Sequence, residues 1–404
     1  MKILYITQYF YPEIGATTNR ALANVREMSR KGHDVTVLTE MPNHPKGIIF
    51  PNYRGKFFFH EKIENFKVNR VWVYTNSNKT SVTRLLFYIS FMLFGTLHTV
   101  LHWNKYDIVY VTSPPLFVGQ IGFWLKKFFP RVKFVFEVRD LWPDAAIEMG
   151  ELKNEKIAKL SYKLEIRFYK NANIIISVTE QFKERIINKG IAAEKIYVIR
   201  NGSDLSYKNI EIPEQLNKQY QKDRNFIIAY AGNLGIAQNL TSILDAAWKL
   251  KKENIIFLFL GSGPEEKKLH EYAKKMDNVY FVGEIPKEKI NKYYSLADCG
   301  IIPLRNIKVF ESTIPSKLFD YMSASLPILL GVKGESKQIL EQSEAGICYE
   351  PDDVNDLVEK IRFLKNNKQL MNEMKTKGRI FVENNFNRNT LADKLIEILE
   401  TLIK

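Results

Sequence analysis

Ser316, Lys317 and Asp320 are the residues whose types and spacing most directly suggest chemistry. They lie in Ile314–Leu330, IPSKLFDYMSASLPILL, where the proline and the serine favour the first turn of a helix. Free backbone N–H groups at a helix start attract anionic oxygens, and Lys317 adds a full positive charge beside them. Asp320, one turn later, can accept two hydrogen bonds from a vicinal diol. These residues predict a phosphate site next to a ribose, with an ordinary amphipathic helix as the alternative.

Glycine-containing turns follow three predicted strands in the same half of the chain. Phe226–Ala231 leads into GNLGIAQN, Ile255–Leu260 into GSGP, and Val279–Val282 into GEIP. Because the carboxyl ends of parallel strands meet at one edge of a sheet, we expect these turns to converge with the IPSK helix start. Neither the dinucleotide fingerprint GxGxxG nor a Walker A loop occurs. The convergence, rather than any single turn, therefore indicates a phosphate ligand.

A charged cluster and a stiff loop follow two predicted strands in the first half of the chain. Glu137, Arg139 and Asp140 lie in EVRDLWPD, at the end of an apolar strand, and His44 lies in PNHP after an earlier strand. Charged groups at a strand end are costly to bury. They are therefore exposed to solvent, paired with one another, or in contact with a ligand, and the sequence leaves these alternatives open.

The chain opens as a βαβ unit, with strands predicted at Lys2–Thr7 and Asp34–Thr39 around a helix at Thr18–Lys31. Gly15 and Ala16 lie between the first strand and the helix, where two small residues let the backbone approach a ligand closely. A plain turn is the alternative. No metal-ligand spacing and no nucleophile elbow occurs in the sequence, so we expect no metal.

Length and composition predict two domains in a reducing compartment. The chain has 404 residues, 45% of them hydrophobic, which is enough for two ordinary cores. Its two cysteines lie in apolar, strand-like contexts and do not suggest a disulfide framework. We expect a first domain over residues 1–204, a polar linker over 205–225, a second domain over 226–385 and a C-terminal helix over 386–404.

Positive charge is concentrated in the first half of the chain. The formal net charge is +14, and residues 1–200 hold 30 Lys and Arg against 17 Asp and Glu, whereas residues 201–404 hold 29 against 28. A one-sided positive field fits a polyanion or an anionic membrane surface. No basic helix with interleaved aromatic residues, RNP-like run or zinc-finger spacing accompanies the charge, so nucleic acid is not expected as a partner.

Arg84–Trp103 is the most apolar segment, and the 17 residues of Leu85–Leu101 carry no formal charge unless His98 is protonated. That length is at the lower limit for a membrane span, and Gly95 weakens a span further. Three interpretations remain open: a buried helix of the domain, a helix lying in the membrane interface, and a transmembrane span. The aromatic residues and the flanking Arg84 and Trp103 favour the interface over the span.

The order of these motifs resembles that of the family 4 glycosyltransferases, which have the two-domain GT-B fold. The resemblance covers essentially the whole chain and is strongest to the bacterial subgroup that acts in O-antigen, capsule and colanic-acid assembly and includes N-acetyl-L-fucosamine transferases. It rests on QYFYPE at 8–13, PNHP at 42–45, TSPP at 112–115, FEVRDLWP at 136–143, NG at 201–202, YAGNLG at 230–235 with QN at 238–239, and PSK at 315–317 with DYM at 320–322.

The resemblance implies an α/β protein in which two Rossmann-like, doubly wound domains face a cleft and a C-terminal helix crosses back to the first domain. The second domain would bind a nucleotide sugar, UDP-linked rather than GDP-linked, with the base near Glu284 and Ile285 and the ribose at Asp320. The diphosphate would lie against Ser316, Lys317 and the glycine turns. Further donor-binding residues are predicted at Gly232, Asn233, Gln238, Asn239, Gly261 and Gly263, and on the first domain at Gly15 and Ala16.

The resemblance also implies transfer with retention of anomeric configuration, without a metal or another cofactor. Stabilisation of the departing diphosphate by Lys317 would lower the barrier, and attack from the same face would need no protein nucleophile. The other catalytic candidates would surround the acceptor and the reacting sugar: Glu137, Arg139, Asp140 and His44. The sequence does not decide whether either carboxylate acts as a base.

Two features depart from the family pattern. Relatives commonly carry two glutamates separated by seven residues; the second corresponds to Asp320, whereas the first falls on Ser312, next to Glu311. An arginine and a lysine that many relatives place on the diphosphate correspond to uncharged residues here, Asn233 and either Gln238 or Asn239. Lys317 would supply the missing charge.

We therefore expect a retaining glycosyltransferase that moves a sugar, such as an amino or deoxyamino sugar, from a nucleotide-sugar donor to a polyprenyl-diphosphate-linked saccharide in surface polysaccharide assembly. It would act at the cytoplasmic face of the cell membrane as a peripheral or monotopic protein. The acceptor's diphosphate would account for the basic half of the chain, and its lipid for Leu85–Leu101. A nucleotide-sugar 2-epimerase of the same fold and a non-catalytic assembly partner at the membrane are the alternatives.

Overall fold

Buried apolar strands alternate with amphipathic helices along the chain and form two units. The computed structural model describes residues 1–78, 80–148, 150, 152–203, 205–207 and 210–403. Unit 1 consists of Met1–Asn201 and Arg388–Lys404, and unit 2 consists of Gly202–Asn387.

Two separate sheets carry the strands. Their bounds are β1 (Lys2–Ile6), β2 (Asp34–Glu40), β3 (Phe58–Ile63), β4 (Phe66–Val71), β5 (Ile108–Ser113), β6 (Lys133–Val138), β7 (Ile174–Ser177), β8 (Ile196–Val198), β9 (Phe226–Ala231), β10 (Ile255–Leu260), β11 (Val279–Gly283), β12 (Cys299–Pro303), β13 (Ile328–Gly331) and β14 (Gly346–Cys348). The sheet of unit 1 has the order β3-β4-β2-β1-β5-β6-β7-β8, and that of unit 2 has the order β11-β10-β9-β12-β13-β14. Neighbouring strands are parallel except that β3 runs antiparallel to β4. Parallel strands direct their carboxyl ends to one edge of each sheet.

Helices cover both faces of each sheet. Their bounds are α1 (Ala16–Arg30), α2 (Ser81–Leu101), α3 (Gly119–Phe128), α4 (Asp144–Glu148), α5 (Glu155–Asn171), α6 (Glu180–Asn188), α7 (Glu214–Tyr220), α8 (Leu240–Lys249), α9 (Glu266–Tyr272), α10 (Lys287–Leu296), α11 (Lys308–Glu311), α12 (Lys317–Ser323), α13 (Glu335–Ser343), α14 (Val354–Asn366), α15 (Lys368–Asn385) and α16 (Arg388–Glu400). In unit 1, α1 and α16 pack on one face and α2, α3, α5 and α6 on the other. In unit 2, α8 and α14 pack on one face and α12 and α13 on the other.

The C-terminal helix α16 packs in unit 1, although the residues before it belong to unit 2. Leu395 and Leu399 are buried in the same core as the apolar side of α1. On the polar side, Lys31 Nζ lies 2.6 Å from Asp393 Oδ1. The predicted return of the C-terminal helix to the first domain is confirmed.

Residues 205–225, which the sequence predicts as a polar linker, contribute to the core of unit 2. The segment contains α7, and its Tyr207 and Tyr220 are buried. These two buried tyrosines hold an otherwise polar segment against the core. Because they are widely spaced, the average composition of the segment does not indicate that it is packed. Two residues of this segment, Lys208 and Asn209, lie outside the described residues, as does Asp204, the predicted end of the first domain.

Candidate active site

Three strand ends of unit 2 are joined by backbone hydrogen bonds. The Gly232 N–H donates to the Leu260 carbonyl at 2.8 Å, and the Gly261 N–H donates to the Gly283 carbonyl at 2.7 Å. These bonds connect the ends of β9, β10 and β11. The structure therefore brings together the glycine turns that the sequence predicts at one sheet edge.

Glycine is required at two of these positions because the turns approach each other closely. Gly261 has a φ of +136°, and a Cβ there would collide with the Gly232 carbonyl oxygen. A Cβ at Gly263 would lie 2.5 Å from the Leu234 carbonyl oxygen and 2.6 Å from Asn233 Oδ1. Both glycines thus allow the turns to pack against one another, in addition to any room that they leave for a ligand.

Lys317 reaches from α12 to the turn after β9. Its Nζ lies 5.0 Å from the centre of the Tyr230 ring, and a Cβ at Gly232 would come within 2.6 Å of Nζ. The Tyr230 hydroxyl donates to the Asn233 carbonyl at 2.6 Å, which fixes the ring beside this turn. Burial lowers the pKa of Lys317 to about 8, and the nearby Asp320 opposes that shift. Lys317 thus offers a poorly solvated positive charge to an anion at the turn.

Helix α12 carries the phosphate and ribose residues that the sequence predicts. It begins at Lys317, so Pro315 and Ser316 precede the helix instead of forming its first turn. Lys317 and Asp320 are three residues apart and share one side of the helix. The helix has seven residues. Because the helix is so short, the charge of Lys317 attracts phosphate more strongly than the helix dipole does.

The uncharged residues at the family's two basic positions differ in their contacts. A Cβ at Gly235 would lie 2.5 Å from Asn233 Nδ2 and 2.8 Å from Gln238 Oε1, so both amides flank that glycine. Asn239 Nδ2 instead donates to Asp352 Oδ1 at 2.5 Å. The structure brings Asn233 and Gln238 together at the turn and ties Asn239 to Asp352.

Glu284 contacts the neighbouring turn through Ser262. The Ser262 hydroxyl donates to Glu284 Oε1 at 2.5 Å, and the Ser262 carbonyl accepts from the Leu234 N–H at 2.9 Å. Glu284 is exposed, whereas Ile285 packs against the core of unit 2. Ser262 is not among the residues that the sequence singles out. Its place between two glycines of the GSGP turn is the signal that could have identified it.

Ser312, which stands where the family has its first glutamate, is a packing residue. Its side chain is fully buried, and its hydroxyl donates to the Val309 carbonyl at 2.8 Å. Glu311 is half-buried at the end of the short helix α11. The serine hydroxyl is thus committed to the backbone of its own helix.

Glu137 forms a buried ion pair in unit 1. It lies near the end of β6 without solvent exposure, and its Oε1 accepts from Arg20 Nε at 2.8 Å. Arg20, on α1, also donates to the Ile199 and Arg200 carbonyls at 2.8 Å each. Burial acts to raise the pKa of Glu137, but Arg20 and Arg139 hold that pKa below its usual range. Of the alternatives that the sequence leaves open for Glu137, structural pairing is the one this geometry supports.

Arg139 and Asp140 follow the end of β6. Arg139 Nε lies 3.8 Å from Glu137 Oε2, and its Nη2 donates to the Pro114 carbonyl at 3.3 Å. Asp140 is half-buried. Burial raises the pKa of Asp140, while the Leu141 N–H and the charge of Arg139 act against the rise. Asp140 is better placed than Glu137 to reach a ligand, and a catalytic role for either carboxylate stays a prediction.

Two buried carboxyl groups hold the PNHP loop. Glu13 Oε1 accepts from the backbone N–H groups of Asn43 at 2.7 Å and His44 at 2.8 Å. Glu40 Oε1 accepts from Asn43 Nδ2 at 2.7 Å. Burial raises the pKa of both carboxyl groups. The loop backbone is thereby fixed while the His44 side chain is exposed. Glu13 ends the QYFYPE motif, but no local pattern in the sequence connects it to a loop that lies 30 residues away.

Gly15 and Ala16 lie at the beginning of α1. Gly15 directly precedes the helix, and no described atom lies within 4 Å of the position that a Cβ would take there. Ala16 is exposed. Packing within unit 1 therefore does not require glycine at residue 15, and the open space fits the close approach of a ligand.

The two cysteines and the possible metal ligands of the described residues are considered together, because both bear on the chemistry of the site. Cys299 is buried, Cys348 is half-buried, and both are free thiols. Within the described part of the chain, no group of three or more histidine, cysteine, aspartate or glutamate side chains is arranged to hold a metal ion.

The fold and the glycine-turn edge of unit 2 define a protein of the GT-B class. Sucrose-phosphate synthase from Thermosynechococcus elongatus aligns over 100% of this chain and 99% of its own, with a TM-score of 0.75 and 16% identity. The structure of HepE from Anabaena, in complex with UDP and glucose, aligns over 99% of both chains with a TM-score of 0.71 and 17% identity. The predicted GT-B fold is confirmed.

Two family models match most of the chain between them. The glycosyl transferase 4-like domain matches residues 15–202, and glycosyl transferases group 1 matches residues 211–381. WcaI of Escherichia coli, which is named as a colanic acid biosynthesis glycosyl transferase, is 24% identical over 379 residues, 90% of this chain and 91% of its own. The chain belongs to the family 4 glycosyltransferases. The predicted enzyme class is confirmed, and the epimerase and non-catalytic alternatives are set aside.

Proposed function

We propose that this glycosyltransferase moves an amino or deoxyamino sugar, such as N-acetylfucosamine, from a UDP-linked donor to a polyprenyl-diphosphate-linked saccharide. The reaction would belong to the assembly of a surface polysaccharide, such as O-antigen or capsule, at the cytoplasmic face of the cell membrane. One observation carries the donor half of the proposal: the desolvated amino group of Lys317 lies against the glycine turn at Gly232, with Asp320 one helical turn away.

The strand-end turns of unit 2 fit the parts of a nucleoside diphosphate. Lys317 supplies the charge for the diphosphate, and Asp320 supplies the acceptor oxygens for the ribose diol. Ser262 and Glu284 place a hydroxyl and a carboxylate at the next turn, where the base would bind. The UDP bound by HepE, which shares the fold, supports uridine by analogy of fold.

The proposed chemistry follows from the charge that develops on the leaving group. As the bond between the anomeric carbon and the diphosphate breaks, negative charge grows on the departing oxygen, and a poorly solvated lysine stabilises that charge more strongly than an exposed one. The acceptor hydroxyl attacks the anomeric carbon from the face that the diphosphate leaves, and its proton passes to the leaving phosphate. No protein nucleophile is needed, and Asp140 remains available to orient a sugar hydroxyl.

The surface-polysaccharide part of the proposal is supported by the name of a relative. WcaI, which aligns with nearly the whole chain, is named for colanic acid biosynthesis. The acceptor and the transferred sugar follow from the resemblance to the O-antigen and capsule subgroup.

Helix α2 supports contact with a membrane surface. Among the described residues, Val82–Leu101 is the one helix that is long and apolar enough to cross a membrane. Its inner side packs on the sheet through residues such as Phe91. Its outer side exposes an apolar stripe at helical spacing: Val82, Leu86, Leu93, Leu97 and Leu101. A helix packed along one side and apolar along the other fits the interface of a bilayer better than a span.

Helix α5 adds positive charge on the same face of the sheet. Helix α3 packs against both α2 and α5. The exposed side chains of α5 include a basic row three or four residues apart: Lys156, Lys159, Lys163, Arg167 and Lys170. Such a row attracts anionic lipid headgroups, so α2 and α5 together would provide an apolar and an electrostatic contribution to membrane binding.

The test is release of UDP from a set of UDP-sugars, with and without a detergent extract of polyprenyl-diphosphate-linked saccharides. We expect a UDP-linked amino sugar to be consumed faster with the extract and its sugar to appear in the lipid fraction. Consumption of GDP-sugars alone would contradict the uridine donor. Transfer only to water-soluble saccharides would contradict the lipid-linked acceptor.

A further inference from the structure

The edge strand β11 of unit 2 lacks the protection that the other sheet edges have. Edge strands leave backbone N–H and C=O groups unpaired, and proteins shield them with short strands or charged side chains. Among the described strands, the edges β8 and β14 have three residues each, and β3 carries Glu61 and Lys62. Strand β11 has five residues, VYFVG, without a charged side chain. An unshielded edge of this kind is a template for a further strand.

The register of β11 identifies the backbone groups that face outwards. The Phe257 N–H, on β10, donates to the Asn278 carbonyl at 2.9 Å, and Phe257 lies opposite Val279. In a parallel ladder of this register, the residues on either side of Val279 bond to β10. The N–H and C=O groups of Val279 and Phe281 therefore point away from β10, where an added strand can bond to them.

A groove of about 620 Å³ follows this edge. It is lined by β11, by the end of α9 on one side and by α7 and α10 on the other. The strand edge is therefore recessed between helices. A second copy of this chain would present an equally recessed edge, and two recessed strands cannot approach closely enough to pair. The groove thus fits a single extended segment better than it fits the same edge of a second copy.

Aromatic side chains line the wall formed by α7 and α10. The Tyr220 and Tyr280 rings meet edge-on at 5.3 Å between ring centres, and Tyr293 lines the same wall. Tyr280 and Val282 lean to this side, since both pack against the core that contains Tyr220. This wall offers apolar ring faces to the side chains of a neighbouring strand.

The opposite wall, formed by the end of α9, carries positive charge. The His270 ring stacks on Phe281 at 4.1 Å between ring centres, and the exposed Lys274 follows one turn later. His270 Nε2 lies 4.0 Å from Glu266 Oε1, so Lys274 supplies the main charge of this wall. None of the described residues that line the groove is an aspartate or a glutamate. Charge complementarity therefore favours acidic side chains on this side of the groove.

We propose that β11 binds an extended peptide segment of a partner protein as an added strand. Successive side chains of such a strand alternate between the two walls. Its acidic side chains would face Lys274, and its apolar side chains would face Tyr280 and Tyr293. Its backbone would bond to Val279 and Phe281. The inference does not depend on the proposed donor or acceptor, because the groove lies at the edge of unit 2 and serves no step of the proposed transfer.

The test is fluorescence polarisation of labelled heptapeptides titrated with the full chain. The peptides are EVEVEVE, KVKVKVK and a copy of EVEVEVE that is methylated at every backbone amide. We expect EVEVEVE to bind at least tenfold more tightly than each of the other two, because KVKVKVK has the opposite charge and the methylated copy lacks the backbone donors.

Two variants separate the contribution of charge from that of the backbone. Lys274→Glu should weaken binding of EVEVEVE at least fivefold and strengthen binding of KVKVKVK, whereas Lys252→Glu, at an exposed lysine outside the groove, should change neither. Val279→Pro removes an outward N–H that β10 does not use, and it should weaken binding of EVEVEVE at least fivefold. Val279→Thr keeps that N–H and should bind the peptide as the wild type does.

Three binding results would overturn the inference: no binding of EVEVEVE, equal affinity for EVEVEVE and KVKVKVK, or binding of EVEVEVE that neither Lys274→Glu nor Val279→Pro weakens. A dimer in analytical ultracentrifugation that Val279→Pro dissociates would also overturn it, because a second copy would then cover the edge. Melting temperatures show whether each variant is folded. If Val279→Pro is unstable, the methylated peptide still tests the backbone contacts.

Discussion

At the scale of residues, Lys317 carries the central role in the proposed donor site of unit 2. Its amino group lies beside the Tyr230 ring and the turn at Gly232, and burial lowers its pKa to about 8. A bound diphosphate would replace the lost water contacts with charge-assisted hydrogen bonds. In the proposed mechanism, Lys317 would therefore couple binding of the donor to stabilisation of the leaving group.

Replacing this lysine tests that role directly. We expect Lys317→Ala to lower turnover by more than tenfold, which corresponds to at least about 1.4 kcal/mol of lost transition-state stabilisation. The measurement is the steady-state rate of UDP release. Lys289→Ala removes an exposed lysine of α10 and should keep the wild-type rate. Equal rates of UDP release for Lys317→Ala and the wild type would show that Lys317 does not act in the donor site.

The pKa of Lys317 also predicts how donor binding depends on pH. The anion binds the protonated amine, so affinity for UDP should begin to fall as the pH rises from 7 towards 8 and should fall more steeply above pH 8, by up to tenfold per pH unit, until the pKa of the complex is reached. Calorimetric titrations from pH 7 to 9.5 avoid the phosphate's own titration near pH 6. Lys317→Ala should bind more weakly and lose this pH dependence. If the affinity of the variant still depends on pH in the same way, a group other than Lys317 is responsible for the dependence.

The Arg20–Glu137 pair should matter for stability more than for chemistry. Arg20→Ala removes the closer of the two arginines that face the buried Glu137, and we expect a loss of about 3–5 kcal/mol in the free energy of unfolding by urea denaturation. Arg26→Ala, on the same helix as Arg20, breaks an exposed pair with Glu64 and should cost less than about 1 kcal/mol. Similar small losses for both variants would show that Glu137 does not depend on Arg20.

The limits of prediction at this scale lie in long-range contacts. The charges at Glu137, Arg139 and Asp140 were visible as a cluster at a strand end, but Arg20 lies 117 residues from Glu137 and its helix gave no sign of the pairing. The same applies to Asn239, whose partner Asp352 lies 113 residues away. Residue types indicate what chemistry is available, whereas partners depend on how the sheet brings distant segments together.

At the scale of elements, α2 combines two roles that its sequence could not separate. Its inner side completes the core of unit 1, and its outer stripe is exposed. An apolar segment of this length fits a core helix, an interfacial helix and a span, and its composition favours the interface over the span without excluding the core helix. The packed inner side argues against a span, and the exposed outer stripe is the feature that a fully buried core helix would lack.

Charge on the outer stripe should release the protein from membranes without unfolding it. We expect Leu93→Asp combined with Leu97→Asp to reduce sedimentation with vesicles containing anionic lipid at least fivefold at an unchanged melting temperature. Ile380→Asp alters an exposed apolar residue of α15 and is the matched control. Sedimentation of the double variant at the wild-type level would contradict membrane contact through α2.

The hairpin at the edge of the sheet of unit 1 was the least predictable part of the fold. The hairpin of β3 and β4 escapes prediction because β3 lies at the sheet edge, where polar residues such as His60 and Lys62 interrupt its apolar pattern. The central strands, which are buried on both faces, have the continuous apolar runs that identify them. The two-domain order of strand, turn and helix was therefore predictable, and the hairpin at the edge of the first sheet was not.

At the scale of the whole molecule, the charge of the chain is divided between its halves. The excess of basic residues lies in residues 1–200, which include α2 and α5, whereas residues 201–404 are nearly neutral. A basic surface around an apolar stripe would attract anionic lipid, and this attraction would weaken with salt because the Debye length shortens. The nearly neutral unit 2 would bind its anionic donor through Lys317 and not through its overall field.

The most direct test of this account is calorimetric titration of the wild-type protein and Lys317→Ala with UDP and with GDP, without added metal. We predict that UDP binds the wild-type protein more tightly than GDP does and that the variant loses at least tenfold in affinity for UDP. Tighter binding of GDP than of UDP would indicate that the donor is a GDP-linked sugar. Binding of neither nucleotide, or equal binding of UDP by the wild type and the variant, would contradict the donor site at Lys317.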